Sequence, residues 1–246
     1  MGMRARAAAT VAAIALVTGC SSEADTATTS GTRSSAATGV TGTPAPTPSG
    51  SVTPEPRPSS QAPSTPEPEP PLATSGRPRE ARLSIPALGL SDLRVVPYVG
   101  TPDDGPGTAI QDDGFAASPH GTGGLVGPGG IGNYLITGHR SSSTAPLRYL
   151  PSVRVGARIV VETTSHRLVY EVVRTQRTSF RSPASLRAQR AAVPGRPGLE
   201  PTRAMITLST CATFEDHAAG NFWSDEFHNP EHRIEKIGVL RSVRRV

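Results

Sequence analysis

Apolar residues divide this chain into three unequal stretches. Ala7 to Val17 is an apolar run broken only by Thr10 and preceded by Arg4 and Arg6. Its eleven residues are too few to cross a hydrocarbon layer of about 30 Å as a helix, and they suit the apolar part of an export signal. From Ser21 to about Pro78 almost no apolar side chain larger than alanine occurs. After Arg79 short apolar segments return at strand length: Arg82–Ile85, Leu93–Val96, Tyr134–Ile136, Ala157–Glu162, Arg167–Arg174, Ala204–Leu208 and Ile234–Leu240. Thr163-Thr-Ser-His166 lies between two of them and predicts a hairpin loop. Helical periodicity is confined to Ser185–Ala192 and a turn at Ala145–Leu150. Asp103 to Gly130 is rich in Gly, Pro and Asp and reads as one long loop, of the kind that is usually functional or mobile. This pattern predicts an all-β domain, a closed barrel or a sandwich, over residues 79–246.

Composition sharpens the first two stretches. Proline and glycine number 25 each in 246 residues, and 12 of the prolines fall in the middle stretch. Residues 20–78 read as a disordered Ser/Thr/Pro linker, because they cannot bury enough surface to offset the entropy of ordering. Its later, proline-rich half favours polyproline II, and some 35 residues at about 3.1 Å each reach on the order of 100 Å. The signal over residues 1–19 ends in Val17-Thr18-Gly19-Cys20, which resembles a bacterial lipobox. That resemblance implies cleavage before Cys20 and a lipid on its thiol. The mature chain is then expected on the outer face of the cell membrane, projecting into the cell wall. The net charge of +5 is spread among acidic residues except at Arg241–Arg245, and aromatics for base stacking are few, so no nucleic-acid partner is expected. Two cysteines supply neither a disulfide framework nor a zinc site built from four thiolates.

Once Cys20 is assigned to the anchor, Cys211 is the one remaining thiol. It closes an apolar strand and precedes a polar loop, which places it where side chains meet solvent. Read by itself it is either a small buried hydrophobe or a nucleophile. A thiol nucleophile needs a proton-transfer partner, and six histidines are available. His139, after Tyr134-Leu-Ile-Thr-Gly138, also stands at a strand end. His228 and His232 are spaced four apart, and Asp103-Asp104 and Asp112-Asp113 are acidic pairs; each is a metal-ligand arrangement in form, set against plain solvated residues and turns. No cofactor or metal is called for.

Thr137-Gly138-His139-Arg140, the run Thr207-Leu-Ser-Thr-Cys211, and Arg233-Ile234 at the start of the last strand resemble the three signature segments of sortases. The Gly-His-Arg form and Ala192-Val-Pro-Gly-Arg-Pro-Gly198 resemble the class E members. Arg82–Pro86 resembles the opening strand. The resemblance covers about residues 80 to 241 and implies a closed barrel of about eight strands with short helices. It implies a cysteine transpeptidase acting on proteins with a C-terminal sorting signal of Leu-Ala-x-Thr-Gly or Leu-Pro-x-Thr-Gly type, cut between Thr and Gly and passed to an amine of the cell wall or another protein. Cys211 is the implied nucleophile, His139 the proton donor and Arg233 the oxyanion partner. Thr210 and Arg140 are the implied substrate contacts, Arg140 with a structural ion pair as its alternative. Residues 212–232 are longer than such a segment usually is and carry Phe214, Phe222, Trp223 and Phe227, which suggests a hydrophobic cap or a peptide-binding lid. The competing functions are a non-catalytic wall-binding lipoprotein and a thiol hydrolase.

Overall fold

The computed structural model describes residues 72–246. The expected signal peptide, the Cys20 anchor and the linker up to residue 71 lie outside the described residues. Among the described residues no helix is long and apolar enough to cross a membrane.

Eight strands close into a barrel: β1 (Ala81–Ile85), β2 (Leu90–Val99), β3 (Ala116–His120), β4 (Gly132–Thr137), β5 (Arg158–Glu162), β6 (His166–Ser179), β7 (Ala204–Cys211) and β8 (His232–Arg245). Their order around the barrel is β1-β2-β3-β4-β7-β8-β6-β5. The pairs β2/β3 and β4/β7 are parallel and the others antiparallel. Alternation sends Leu83, Ile85, Val95, Tyr134, Ile136, Val161, Leu168, Tyr170, Ile206 and Leu208 into one core, as a period of two requires. Closure leaves no long sheet edge exposed.

Two readings of the sequence are corrected. The supposed loop Asp103–Gly130 contains helix α1 (Gly105–Asp112) and strand β3. Asp104 caps α1 by accepting from the Gly107 amide at 2.9 Å, and Pro106 occupies the first turn, where its missing N–H costs nothing. Gly105 and Gly107 hide that helix from a propensity reading. Strand β3, Ala-Ala-Ser-Pro-His, has no β-branched residue and is held by parallel pairing with Val95–Val99. The ordered domain also begins before Arg79. The Thr74 amide donates to Gly129 O at 2.7 Å, and Gly76 O accepts from Gly127 at 2.7 Å.

Helix α2 (Pro183–Gln189) sits in the β6–β7 connection, and α3 (Thr213–Ala218) follows the end of β7. Strands β6 and β8 are far longer than their apolar centres suggested. They pair from His166↔Arg245 to Ser179↔His232, across bulges near Tyr170 and Val172–Arg174.

Candidate active site

Because Ile206 and Leu208 point into the core, Thr207, Ser209 and Cys211 point out of it. Register then extends this outer face over four strands. Leu135, Thr207, Ile237 and Arg174 form one row, and Thr137, Ser209, Glu235 and Gln176 the next. In the third row Cys211 pairs with Arg233, and Arg233 with Thr178. His139 lies two residues beyond Thr137, as Cys211 lies two beyond Ser209, on parallel strands in register. The three residues singled out from the sequence as catalytic therefore share the rim of the barrel.

Local contacts fix that rim. The Gly138 amide donates to Ser209 O at 3.2 Å, and the Thr210 hydroxyl donates to Gly138 O at 2.7 Å. A side chain at 138 would bring its Cβ to 2.9 Å from Leu147 Cδ1, so a residue larger than glycine would crowd the buried Leu147 just before His139. Thr210 is 2% exposed, and its hydroxyl is committed to this strut. In this structure that hydroxyl ties the cysteine strand to the histidine strand. Arg140 is likewise occupied. It makes a two-pronged ion pair with Glu215 of α3, donates to Cys211 O at 3.1 Å, and lies over the Phe214 ring. The structural alternative for Arg140 is the one observed.

His139 is buried, and its Nε2 lies 2.8 Å from Asp112 Oδ1 at the end of α1. This leaves Nδ1 as the ring nitrogen free for proton transfer. Arg233 is 1% exposed. Its Nε donates to Asp103 Oδ2 at 2.9 Å, its Nη1 donates to Pro230 O at 3.0 Å, and its guanidinium lies 4.0 Å above the Phe180 ring. Its Nη2 is buried with no partner. Burial opposes the Arg233 charge, but Asp103, Cys211 and Asp225 outweigh it and hold the group protonated beyond its usual range. Asp103 adopts a left-handed backbone, with φ of 59°, a conformation that costs most residues 1–2 kcal/mol but which Asp tolerates. Gln111 holds its other oxygen at 2.9 Å.

Cys211 is a free thiol. Burial pushes its pKa up, Arg233 and Arg140 pull it down, and Asp103 and Asp225 push it up again, for a net rise. The balance of these groups favours the thiol over the thiolate at Cys211.

Asp112, Asp103 and Phe180 were not singled out as site residues from the sequence. The acidic pairs were visible, but only the fold of α1 aims one carboxylate at His139 and another at Arg233. The metal alternatives divide in the same way: His232 Nδ1 bonds Asp216 at 2.9 Å, while Asp112 and Asp103 serve the rim. The aromatic insert does not form a sealed cap, since Phe214, Phe222 and Phe227 stay exposed. Phe214 lies between Arg140 and Arg148, and Phe222 stacks on His217 at 4.9 Å.

The Sortase domain family model matches residues 83–222. Among solved structures, the chain is similar to the SrtA sortase from Actinomyces oris, at 19% identity and a TM-score of 0.52, over 72% of this chain and 88% of that one. It is also similar to sortase E1 from Streptomyces coelicolor with a tripeptide in the active site, at 24% identity and a TM-score of 0.49, over 70% of this chain and 93% of that one. The SrtF sortase from Corynebacterium diphtheriae is matched at 19% identity and a TM-score of 0.49, over 74% and 92%. No curated protein matches the chain significantly. At these identities the likeness to the Actinomyces oris enzyme speaks for the barrel alone. The family match covers more than half of the chain and takes in both the histidine and the cysteine gathered at the rim, and on that ground this chain belongs to the sortase family of cysteine transpeptidases.

Proposed function

We propose that this chain is a class E-type sortase, lipid-anchored through Cys20 outside the cytoplasmic membrane. It cleaves a Leu-Ala-x-Thr-Gly or Leu-Pro-x-Thr-Gly-like sorting signal between Thr and Gly and transfers the protein to an amine of the wall or of another protein. The Cys211 sulfur attacks the threonine carbonyl, and the thiol proton leaves by way of His139 Nδ1. The tetrahedral oxyanion is met by a donor already in place, because electrostatic catalysis depends on groups that need no reorganisation. Collapse expels the glycine amine, which takes a proton from the same ring. A thioacyl-enzyme remains, and an incoming amine resolves it by the reverse path. Asp112 holds the imidazole in one orientation throughout, as an acidic partner does in other nucleophile–histidine pairs.

The observation that carries this reading is the spare donor on Arg233. Two of its nitrogens are spent on Asp103 and Pro230, while Nη2 is buried and unbonded on the residue paired across the strands with Cys211. Leaving a buried donor without a partner costs about 1–3 kcal/mol, which an oxyanion at the cysteine would recover.

The test is to incubate the full-length protein with a fluorogenic Leu-Ala-x-Thr-Gly peptide, with and without an amine acceptor, beside Cys211→Ala, and to follow products by mass spectrometry. Amine-dependent joining and a thioacyl adduct on Cys211, both lost in the variant, are expected. Cleavage without joining would point to a hydrolase. Absence of any adduct with related peptides would point to a binding module.

A further inference from the structure

Three clefts follow one another across the outer face of the barrel. The first is lined by Arg174, Arg196 and Arg203 beside Pro194, Met205 and Val239. The second shares Arg203 and Val239 with it and adds Arg241 and Leu72. The third shares Arg241 and adds Arg158, Arg167 and Arg244, beside Val169 and Ser242. Together they form a belt over four neighbouring strands, β7, β8, β6 and β5, which at about 4.8 Å per strand is at least about 14 Å across. The belt lies clear of the nucleophile. Arg203 stands eight residues before Cys211, and Arg241 eight residues after Arg233, or about 26 Å along the strands.

Charge in this belt is unbalanced. Among the described residues the three clefts take in seven arginines and a single carboxylate, Glu171. Glu171 pairs with Arg241 at 3.4 Å, and Glu162 on β5 pairs with Arg167. Seven arginines less these two leaves five, Arg158, Arg174, Arg196, Arg203 and Arg244, without a carboxylate partner. Like charges are also set against each other. Register places Arg167 directly opposite Arg244, a pairing that destabilises a sheet. Arg174 is held by neutral acceptors only, Gln176 Oε1 at 2.7 Å and Pro194 O. Burial and the neighbouring Arg196 push its pKa down, against the upward pull of Glu235. Gly195, at φ 77°, makes room for that guanidinium, since a Cβ there would lie 2.8 Å from Nη2. Gly195 and Arg196 belong to the run Ala192–Gly198, which the transpeptidation chemistry leaves without a part. An anion seated between these guanidinium groups would relieve both repulsions, and their forked donors match phosphate oxygens.

Shape and charge select the occupant. A bilayer is flat, whereas the belt bends with four strands of a closed barrel and is broken into clefts. The sequence just before Leu72 offers Glu67 and Glu69, two carboxylates against an excess of five arginines, so this chain's own linker would leave most of the belt unneutralised. We propose that the belt is a binding site for a linear polyanion, a flexible chain with a phosphodiester in each repeat, and that it holds the domain to that polymer while the catalytic rim stays free. That the polymer is met in the cell wall rests on the location proposed above; the binding itself does not.

The experiment titrates the full-length protein with soluble, unlipidated polyglycerol phosphate by calorimetry, beside phosphatidylglycerol vesicles. Two double variants are compared, Arg158→Gln with Arg244→Gln and Arg196→Gln with Arg203→Gln. All four side chains are exposed, so both variants should fold. An arginine facing an anionic surface is worth about fivefold in affinity, and each double variant should bind the polymer at least about tenfold more weakly. Binding should fade as salt is raised, and the polymer should raise the wild-type Tm. Without polymer, the variant lacking Arg244 should be no less stable than the wild type, because Arg167 loses its like-charged neighbour. Wild-type protein that ignores the polymer at low salt, or double variants that bind as the wild type does, overturn the proposal. Binding to the vesicles but not to the polymer overturns it in favour of a membrane. Binding that appears only after Glu67→Gln with Glu69→Gln overturns it in favour of the linker as occupant. Turnover of the sorting peptide should be equal in wild type and both double variants. Turnover absent from all of them would fail the substrate reading, and the titrations alone would then decide the belt.

Discussion

The Asp103–Arg233 pair should be an expensive contact to break, and its cost can be worked from the structure. Both side chains are at least 95% buried, at 5% and 1% exposure. Removing one partner of such a pair strands a charge and costs about 3–5 kcal/mol. Against a typical domain stability of about 5–15 kcal/mol, Asp103→Ala should bring the protein close to unfolding. Two controls separate the electrostatic loss from the backbone. Asp103 sits at φ 59°, so alanine there adds about 1–2 kcal/mol of left-handed strain that glycine avoids, and Asp103→Gly, which loses the same pair, should be less destabilised by about that margin. Removing both charges with Asp103→Ala and Arg233→Met should recover much of the loss, because a buried pair exchanged for apolar groups is often nearly neutral. Urea unfolding followed by circular dichroism of the wild type, these variants and Arg233→Met alone gives the free energies of the full cycle. A loss below about 1 kcal/mol for Asp103→Ala, or an additive double variant, would refute the assignment of a tight buried pair, since such residues in contact should couple.

Three further outcomes are expected. The raised Cys211 thiol should react slowly with iodoacetamide at neutral pH, with a rate still climbing above the ordinary thiol range, and Arg233→Met should slow it further at a given pH because the favourable charge is gone. Glu235 has its pKa raised from 4.5 to about 7, so the folded state holds its proton more tightly than the unfolded chain does. Its stabilising effect is full below about pH 4.5 and is lost as pH rises through about 7, a fall of about 3 kcal/mol; thermal or urea unfolding across that window should show the slope in wild type and a flatter profile in Glu235→Gln. Gly138→Ala should overpack Leu147, with its Cβ at 2.9 Å, costing about 1–3 kcal/mol; unfolding measurements and peptide turnover should both fall, and Leu147→Ala in the same chain should restore part of each.

Pattern along the chain was enough to indicate an all-β domain, because strand-length apolar segments carry their own period. It also marked Cys211 and His139 as residues that close such segments, but only the resemblance of their flanking residues to the sortase signature segments chose His139 among six histidines and Cys211 as nucleophile. Strand β3 and helix α1 were not legible. Ala-Ala-Ser-Pro-His has no strand preference of its own and takes its form from pairing with β2, and α1 begins among glycines that a capping aspartate and a proline organise. The roles of the acidic residues were illegible for the same reason. Asp103, Asp112 and Glu235 are ordinary carboxylates in sequence, separated from their partners Arg233, His139 and Gln189 by 130, 27 and 46 residues. Local sequence determines which segments can be strands and which side chains can carry chemistry. Only closure of the barrel, which sets β7 between β4 and β8 in a single register, decides which of those side chains share a row and which are buried deeply enough for a neighbour's charge to matter.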